Sequence, residues 1–143
     1  MSVLQYDPKL FTIILAGKII GGYADDDFIE IERDEDMWTK KVGVDGEVTR
    51  AKSNNKAGKV TIRLMQSSSS NDDLTALMLA DEVTNAGAGP LLCKDGSGRT
   101  AFFSDTAWIK KAAKATFKKG VNTYEWQIDT GVLDVYVGGN SAV

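Results

Sequence analysis

The sequence predicts a mainly β fold: an antiparallel β-sandwich or barrel of about eight strands, with one flanking α-helix at about residues 71–84. Three observations predict it. Thr, Val, Ile and aromatic residues recur between Gly and Asp punctuation, a composition suited to pleated, half-buried segments. Several short runs alternate apolar and polar residues with period two. After Ser70 the spacing changes, over one stretch only, to the i, i+3, i+4 pattern of a helix face.

The first strand is expected over Leu10–Ala16, with Phe11, Ile13 and Leu15 on one face and Thr12 and Ile14 on the other. Gly21-Gly22 and the run Asp25-Asp26-Asp27 form a polar break. Phe28–Arg33 alternates, Ile29 and Ile31 inward against Glu30 and Glu32, and Asp34-Glu35-Asp36 ends it. Asp45-Gly46 reads as a two-residue hairpin turn between Val42–Val44 and Val48–Arg50. Val60–Met65 alternates again.

Ser70 followed by Asp73 is a capping-box pattern, Asp72 and Asp73 suit the positive end of the helix dipole, and Leu74, Leu77 and Met78 form the buried stripe. The helix should end by Asn85-Ala86-Gly87. Pro90–Lys94 and Thr100–Ser104 read as a hairpin joined by Asp95-Gly96-Ser97-Gly98. Trp108-Ile109 is expected to finish a strand, followed by a lysine-rich loop. Tyr124–Asp129 and Leu133–Val137 read as two strands, with Thr130-Gly131 turning between them.

The whole chain, 1–143, reads as a single domain with a long polar loop or hairpin arm at about 43–59. This arm is the most informative segment. It is flanked by strand-like runs, yet Lys52, Ser53, Asn54, Asn55, Lys56, Gly58 and Lys59 give it nothing with which to build a core. Segments of that length in small domains are usually functional or disordered, so a partner is expected to order it.

Composition narrows the function. There is no histidine, which removes the commonest general base, the commonest metal ligand and every histidine-containing triad. One cysteine, Cys93, excludes an internal disulfide and a cysteine cage for zinc, and suits a reducing cytoplasm. A net charge of −3 lacks the basic footprint of a dedicated nucleic-acid binder. No apolar run approaches the 18 or more residues that span a bilayer, and residues 1–8 lack the positive region of a signal peptide, so no membrane insertion is expected. No catalytic, cofactor-binding or metal-ligating set can be named. Asp95–Thr100 lacks the spacing of a phosphate loop and is followed by no helix. Neither acidic run has EF-hand spacing.

What remains are contact candidates. Asp25, Asp26, Asp27, Asp34, Glu35 and Asp36 form an acidic segment, while Lys110, Lys111, Lys114, Lys118 and Lys119 form a basic one. The plainer reading of the lysines is a solvated face. A second is a pair of complementary surfaces that join copies head to tail, with opposite charges steering the encounter, and a third is a track for a nucleic-acid backbone with Trp108 and Phe117 stacking bases. Lys52, Asn54, Asn55, Lys56 and Lys59 are the corresponding candidates on the arm.

Several short strings, in order along most of the chain, resemble a known family. They are Ile31–Asp36 followed by Trp38-Thr39-Lys40, then Val44–Val48, Lys56–Leu64, Ala107–Lys111 and Tyr124-Glu125-Trp126. Together they resemble the tail tube proteins of short myophage type. The resemblance implies a structural virion protein of the tail, not an enzyme, with no cofactor. It implies a β-sandwich closing into homohexameric rings, stacked into a tube assembled in the host cytoplasm. It also implies an arm that reaches a neighbouring copy, a tape-measure protein in the lumen, a sheath outside, and DNA only in transit. A tube that passes DNA must not hold it, and an acidic chain avoids the phosphate contacts that would slow transit. A tube protein of a contractile injection or secretion apparatus is the related alternative, and a ligand-binding β-sandwich module is the unrelated one.

Overall fold

The structure is a computed structural model and describes residues 3–141. Seven strands follow one another in a single antiparallel sheet in the order β2-β1-β7-β8-β9-β6-β3, where β1 is Phe11–Leu15, β2 Lys18–Ile20, β3 Ile29–Arg33, β6 Ala57–Met65, β7 Gly89–Asp95, β8 Ala101–Lys111 and β9 Thr123–Val132. The short β10, Asp134–Tyr136, also pairs with β8. β4, Trp38–Val42, and β5, Val48–Lys52, form a separate two-stranded hairpin. The helix α1 spans Ser70–Thr84.

The sheet curls on itself through a corner at Gly21-Gly22. β2 pairs with β1 at one end of the strand order, while the chain just beyond it bonds to β6 near the other end. Met65 N donates to Gly22 O (2.9 Å) and Ala24 N to Arg63 O (3.0 Å). Gly22 has φ +73°, and a Cβ there would lie 2.4 Å from Ser68 Oγ, so glycine is required for both backbone and space. The inward residues of this curl make one core: Ile13, Leu15 and Ile20 with Val60, Ile62 and Leu64, and Leu91 and Cys93 with Ile109, Trp126 and Ile128. All of these follow the period-two alternation of their strands.

The helix closes the core with Leu74, while Leu77 and Met78 pack partly buried beside it. It packs against β8 and β2. The expected capping box is absent. Ser69 is the N-cap and makes no side-chain cap bond, while Ser70 is buried and its Oγ accepts from Gly21 N (2.9 Å). Ser68 Oγ in turn donates to Gly21 O (2.6 Å). Tying the helix start to the sheet corner competes with capping for the same hydroxyl, and tertiary closure wins. Asn71 adds a second fastening, its Oδ1 accepting from Trp126 Nε1 (2.9 Å). The helix ends at Asn85 in the left-handed conformation, its N–H on Asp81 O, as the Asn85-Ala86-Gly87 signal implies.

Three further expectations need correction. The stretch between Ala16 and the Gly21-Gly22 break, for which no strand is expected, holds one: Leu15 pairs with Lys18 across Ala16 (φ +50°) and Gly17 (φ +82°), a two-residue turn that leads into β2. The Thr130-Gly131 turn is a β-bulge. β9 runs through it to Val132, one extra residue opposing Gly58, and Thr130 Oγ1 accepts from Gly58 N (3.1 Å). Beyond it β10 continues along the same side of β8 as β9, so the two expected hairpin strands are one kinked strand with Leu133 buried at the kink. Finally, Val44-Asp45-Gly46 closes the β4–β5 hairpin as a three-residue loop, with Gly43 N on Glu47 O (2.8 Å) and Gly46 at φ +90°. The strand expected at Trp108-Ile109 runs to Lys111, and irregular chain follows from 112 to 122.

Two measurements check this packing. A Cβ on Gly58 would meet Leu133 Cδ2 at 2.5 Å and Glu32 O at 2.8 Å, whereas on Gly131 the nearest atom is Thr106 O at 3.7 Å. Gly58→Ala should therefore cost about 1–3 kcal/mol, lowering the melting temperature by roughly 3–10 °C, while Gly131→Ala stays within about 2 °C. Burial pushes the Cys93 thiol up to about 12. The unfolded thiol ionises near 9 and the folded one does not, so this contribution is complete below pH 9 and is lost as pH rises towards 12. Thermal melts between pH 8 and 11 should fall more steeply for the native protein than for Cys93→Val.

Candidate assembly surfaces

Every residue of β4 and β5 is exposed on both faces, and both outer edges of the hairpin are unpaired. Residues 43–59 therefore divide into three parts. The tip and returning strand belong to this arm, Ser53–Lys56 form a short connector, and Ala57–Lys59 begin β6.

The arm springs from a defined base. Asp34 N donates to Ala57 O (3.0 Å), Ser53 N to Met37 O (2.8 Å) and Ser53 Oγ to Glu35 Oε2 (3.1 Å). Asn55 Oδ1 accepts from Ala57 N (3.0 Å), which turns the connector into β6. The sequence candidates Asp34, Glu35 and Asp36 thus lie on the outgoing limb of the base, and Asn54, Asn55 and Lys56 on the returning one. Lys52 stands on the arm opposite Trp38. Lys59 is on β6, paired with Glu32 (3.3 Å).

The other acidic run is elsewhere. Gly22–Ala24 and Phe28–Arg33 both bond along β6, and Asp25-Asp26-Asp27 loop out between them, all exposed. They border a hollow with Tyr6, Phe11, Phe28 and Thr100. Roughly 17 Å of strand, the length of β3, separates the two acidic runs, so they are two patches.

Lys110 occupies a bulge in β8, the extra residue between Ile109↔Ile128 and Lys111↔Gln127. It shares a hollow with Glu30, Glu32, Lys59 and Asp129 on the polar face of the sheet. On that face Arg63 pairs with Glu30 (3.2 Å) and Glu125 (3.2 Å). Slight burial works against the Arg63 charge, but those two carboxylates outweigh it and hold its pKa above the ordinary value. Lys111 and Lys114 border the next hollow with Asn122, Glu125 and Gln127. Lys110 is thus beside Glu30, Glu32 and Asp129 of its own chain, and Lys111 and Lys114 are beside Glu125.

Residues not singled out from the sequence complete the arm. On one of its faces Trp38, Lys40 and Val42 stand opposite Lys52, Arg50 and Val48. Arg50 lies over the Trp38 ring, 3.8 Å from its centroid, and Lys52 Nζ is 6.0 Å away. Neither strand alternates apolar with polar residues, and only the hairpin register brings these residues together.

The polar sheet face, the exposed arm and the loop of acids form no cleft with converging reactive groups, and among the described residues no group of three or more His, Cys, Asp or Glu is placed to hold a metal ion. Comparison with known proteins identifies the family. Residues 17–138 match the family model described as the bacteriophage PhiTE tail tube protein. The chain belongs to that tail tube family. It is also 34% identical over 146 residues to structural protein ORF10 of Pseudomonas phage KPP10, covering 96% of this chain and 84% of that protein. Among solved structures, it superposes with TM-score 0.62 on the sheath/tube terminator of an extracellular contractile injection system, at 8% identity, covering 93% of this chain and 97% of the other. It superposes with TM-score 0.60 on the tube terminating cap of the anti-feeding prophage, at 7% identity over 95% and 93% of the two chains. At these identities the likeness is one of fold. Family membership makes this chain a structural component of a phage tail, and thus of the virion.

The arm's exposure has a direct consequence for the dispersed subunit. Trypsin should cut first on the arm, at Lys40, Lys41, Arg50, Lys52 or Lys56, and in the exposed irregular chain at Lys114, Lys118 or Lys119, and later at Lys59 and Lys94 in the sheet. Early fragments with new ends inside 41–57 are expected by mass spectrometry, and first cleavage within β6 or β7 would contradict the exposed arm.

Proposed function

We propose that the chain is the repeating subunit of the tail tube. Copies close into homohexameric rings, the rings stack around a tape-measure protein, and the finished bore carries DNA during delivery, with a contractile sheath outside. Membership of the tail tube family supports the role. The observation that carries the assembly reading is the arm. A two-stranded hairpin is marginal in water on its own, and its unpaired edges are a liability unless covered. Met37, Val42, Val44 and Val48 add apolar surface that the subunit itself leaves exposed. A second copy of the chain supplies the missing cover.

The same logic applies to the sheet. Val135, Tyr136 and Val137 are exposed along β10 and just past it, and Val3, Leu4 and Tyr6 are exposed in the N-terminal segment. Asn140 Nδ2 donates to Gln5 O (2.7 Å), so the two segments are held together. The injection-system neighbours share the fold, but the family match is to a phage tail protein, which favours the phage reading over an injection apparatus.

The test uses the geometry of the arm base. Since Ser53 N already bonds to Met37 O, replacing Trp38–Lys52 by Asn-Gly leaves that bond as the closing bond of a tight turn. Native protein at high concentration should form rings or tubes by negative-stain microscopy and sedimentation. The shortened chain should fold with a melting temperature within about 3 °C, since no core residue is removed, and stay dispersed. Tubes of normal length from the shortened chain would remove the arm's assembly role. A native protein that stays monomeric even with a tape-measure partner would sink the tube reading.

A further inference from the structure

The arm carries four cations and two carboxylates in a chain whose net charge is −3. Its carboxylates, Asp45 and Glu47, belong to the tip, where Asp45 Oδ1 accepts from Glu47 N (3.1 Å). The face bearing Trp38 is different. Lys40 stands directly opposite Arg50, and Lys52 is next along, so three cations share one side of a hairpin five residues long in each strand. Like charges directly opposite one another destabilise a strand pair. The three ion pairs among the described residues are Lys59–Glu32, Arg63–Glu30 and Arg63–Glu125, and none reaches the arm. In the single subunit this face therefore combines exposed aromatic surface with unneutralised positive charge.

The subunit also carries a surface of opposite character. Asp25, Asp26 and Asp27, looped out beside β6, edge a hollow floored by Phe11 and Phe28, whose rings meet edge to face at 5.7 Å, with Tyr6 at its side. Acid rim and aromatic floor match cations and an aromatic ring in both charge and polarity. The arm leaves the sheet past the Arg33 end of β3, and the acid loop precedes its Ile29 end, so a subunit's own arm and its own hollow start from opposite ends of that strand.

We propose that the Trp38, Lys40, Arg50 and Lys52 face of the arm docks into the hollow bordered by Asp25–Asp27 on a second copy of the chain. This rests on the tube reading above and assigns its contact. The arm face, not the Lys110 cluster, is the cationic half, and the acidic half is Asp25–Asp27, not Asp34–Asp36. Burying the arm's cations against carboxylates also withdraws them from a polyanion passing through the assembly, which they would otherwise bind through its phosphates.

A charge-reversal cycle tests it, with each variant first checked for an unchanged melting temperature. Lys40→Glu with Arg50→Glu should raise the concentration needed for tube formation roughly tenfold or more, as should Asp25→Lys with Asp26→Lys and Asp27→Lys. All five changes in one chain should return it to within about threefold of the native value, and an equal mixture of the two reversed variants should co-assemble. Normal assembly of either reversed variant overturns the contact while leaving the tube reading intact, as does loss without rescue. Native tubes that bind labelled duplex DNA, with binding abolished by the arm reversal, would show the face open to nucleic acid and overturn the contact. A native chain that forms no tubes overturns both readings together.

Discussion

The arm depends on one crossing point in the sheet. Leu133, at the kink between β9 and β10, is fully buried; its N–H donates to Lys56 O (2.8 Å), and its carbonyl accepts from Arg33 Nε and Nη2 at 3.0 and 2.8 Å. Gly58 passes so close to it that any side chain would collide. Thr130 holds the Gly58 amide from the other side. These contacts fix Arg33 and Lys56 to the same residue, and the next pair outward, Asp34 and Ala57, is bonded directly. The outgoing and returning limbs of the arm therefore leave the core at a set spacing and direction. The fork of Arg33 is suited to this position because one planar guanidinium satisfies a carbonyl at a kink, where regular ladder bonding fails.

Much of the sheet was legible because its strands are half-buried. Ile29-Glu30-Ile31-Glu32 and Tyr124–Ile128 alternate, and alternation reports a face. The failures occurred where a local signal had two physical outcomes. Thr130-Gly131 has turn composition, but an isolated Gly within a strand also marks a bulge, and the extra residue opposite Gly58 decides for the bulge. Ala16-Gly17 lacks the Asn-Gly or Asp-Gly signature of a tight hairpin, so β2 was hidden, although Ala16 accepts φ +50° there. Ser70 matched a capping box, yet its hydroxyl is taken by Gly21, a residue 49 positions away. No local pattern could reveal that competition.

The surfaces were legible as composition and not as arrangement. Counting acids and lysines identified charged segments correctly, but a linear separation of 25–36 from 110–119 says nothing about sheet order. The order β8-β9-β6-β3 brings Lys110 to the same polar face as Glu30 and Glu32, whereas β3 itself divides one acidic segment into two patches. The long polar stretch stands out because it is poor in apolar residues, although Ala57, Gly58 and Lys59 belong to β6 of the main sheet. The arm's charged and aromatic face is not legible, because the cross-strand partners of Trp38 and Lys40 follow only from the register.

That register also bears on which symmetry the arm permits. Two identical arms meeting edge to edge would form an isologous pair, the commonest way for exposed strands to associate. Here such a pair would set Lys40, Arg50 and Lys52 of one copy near the same cations of another. Like-charge contact of this kind weakens the wrong encounter, as charged edges do in soluble sheet proteins generally. An arm that repels its own copy and attracts a different surface makes heterologous contacts, and heterologous contacts close into rings or extend without limit. The stability the hairpin gives up through the Lys40–Arg50 pairing thus has a compensating effect. On the proposed contact, it disfavours arm-to-arm pairing and favours, among the ways two copies can meet, the heterologous kind.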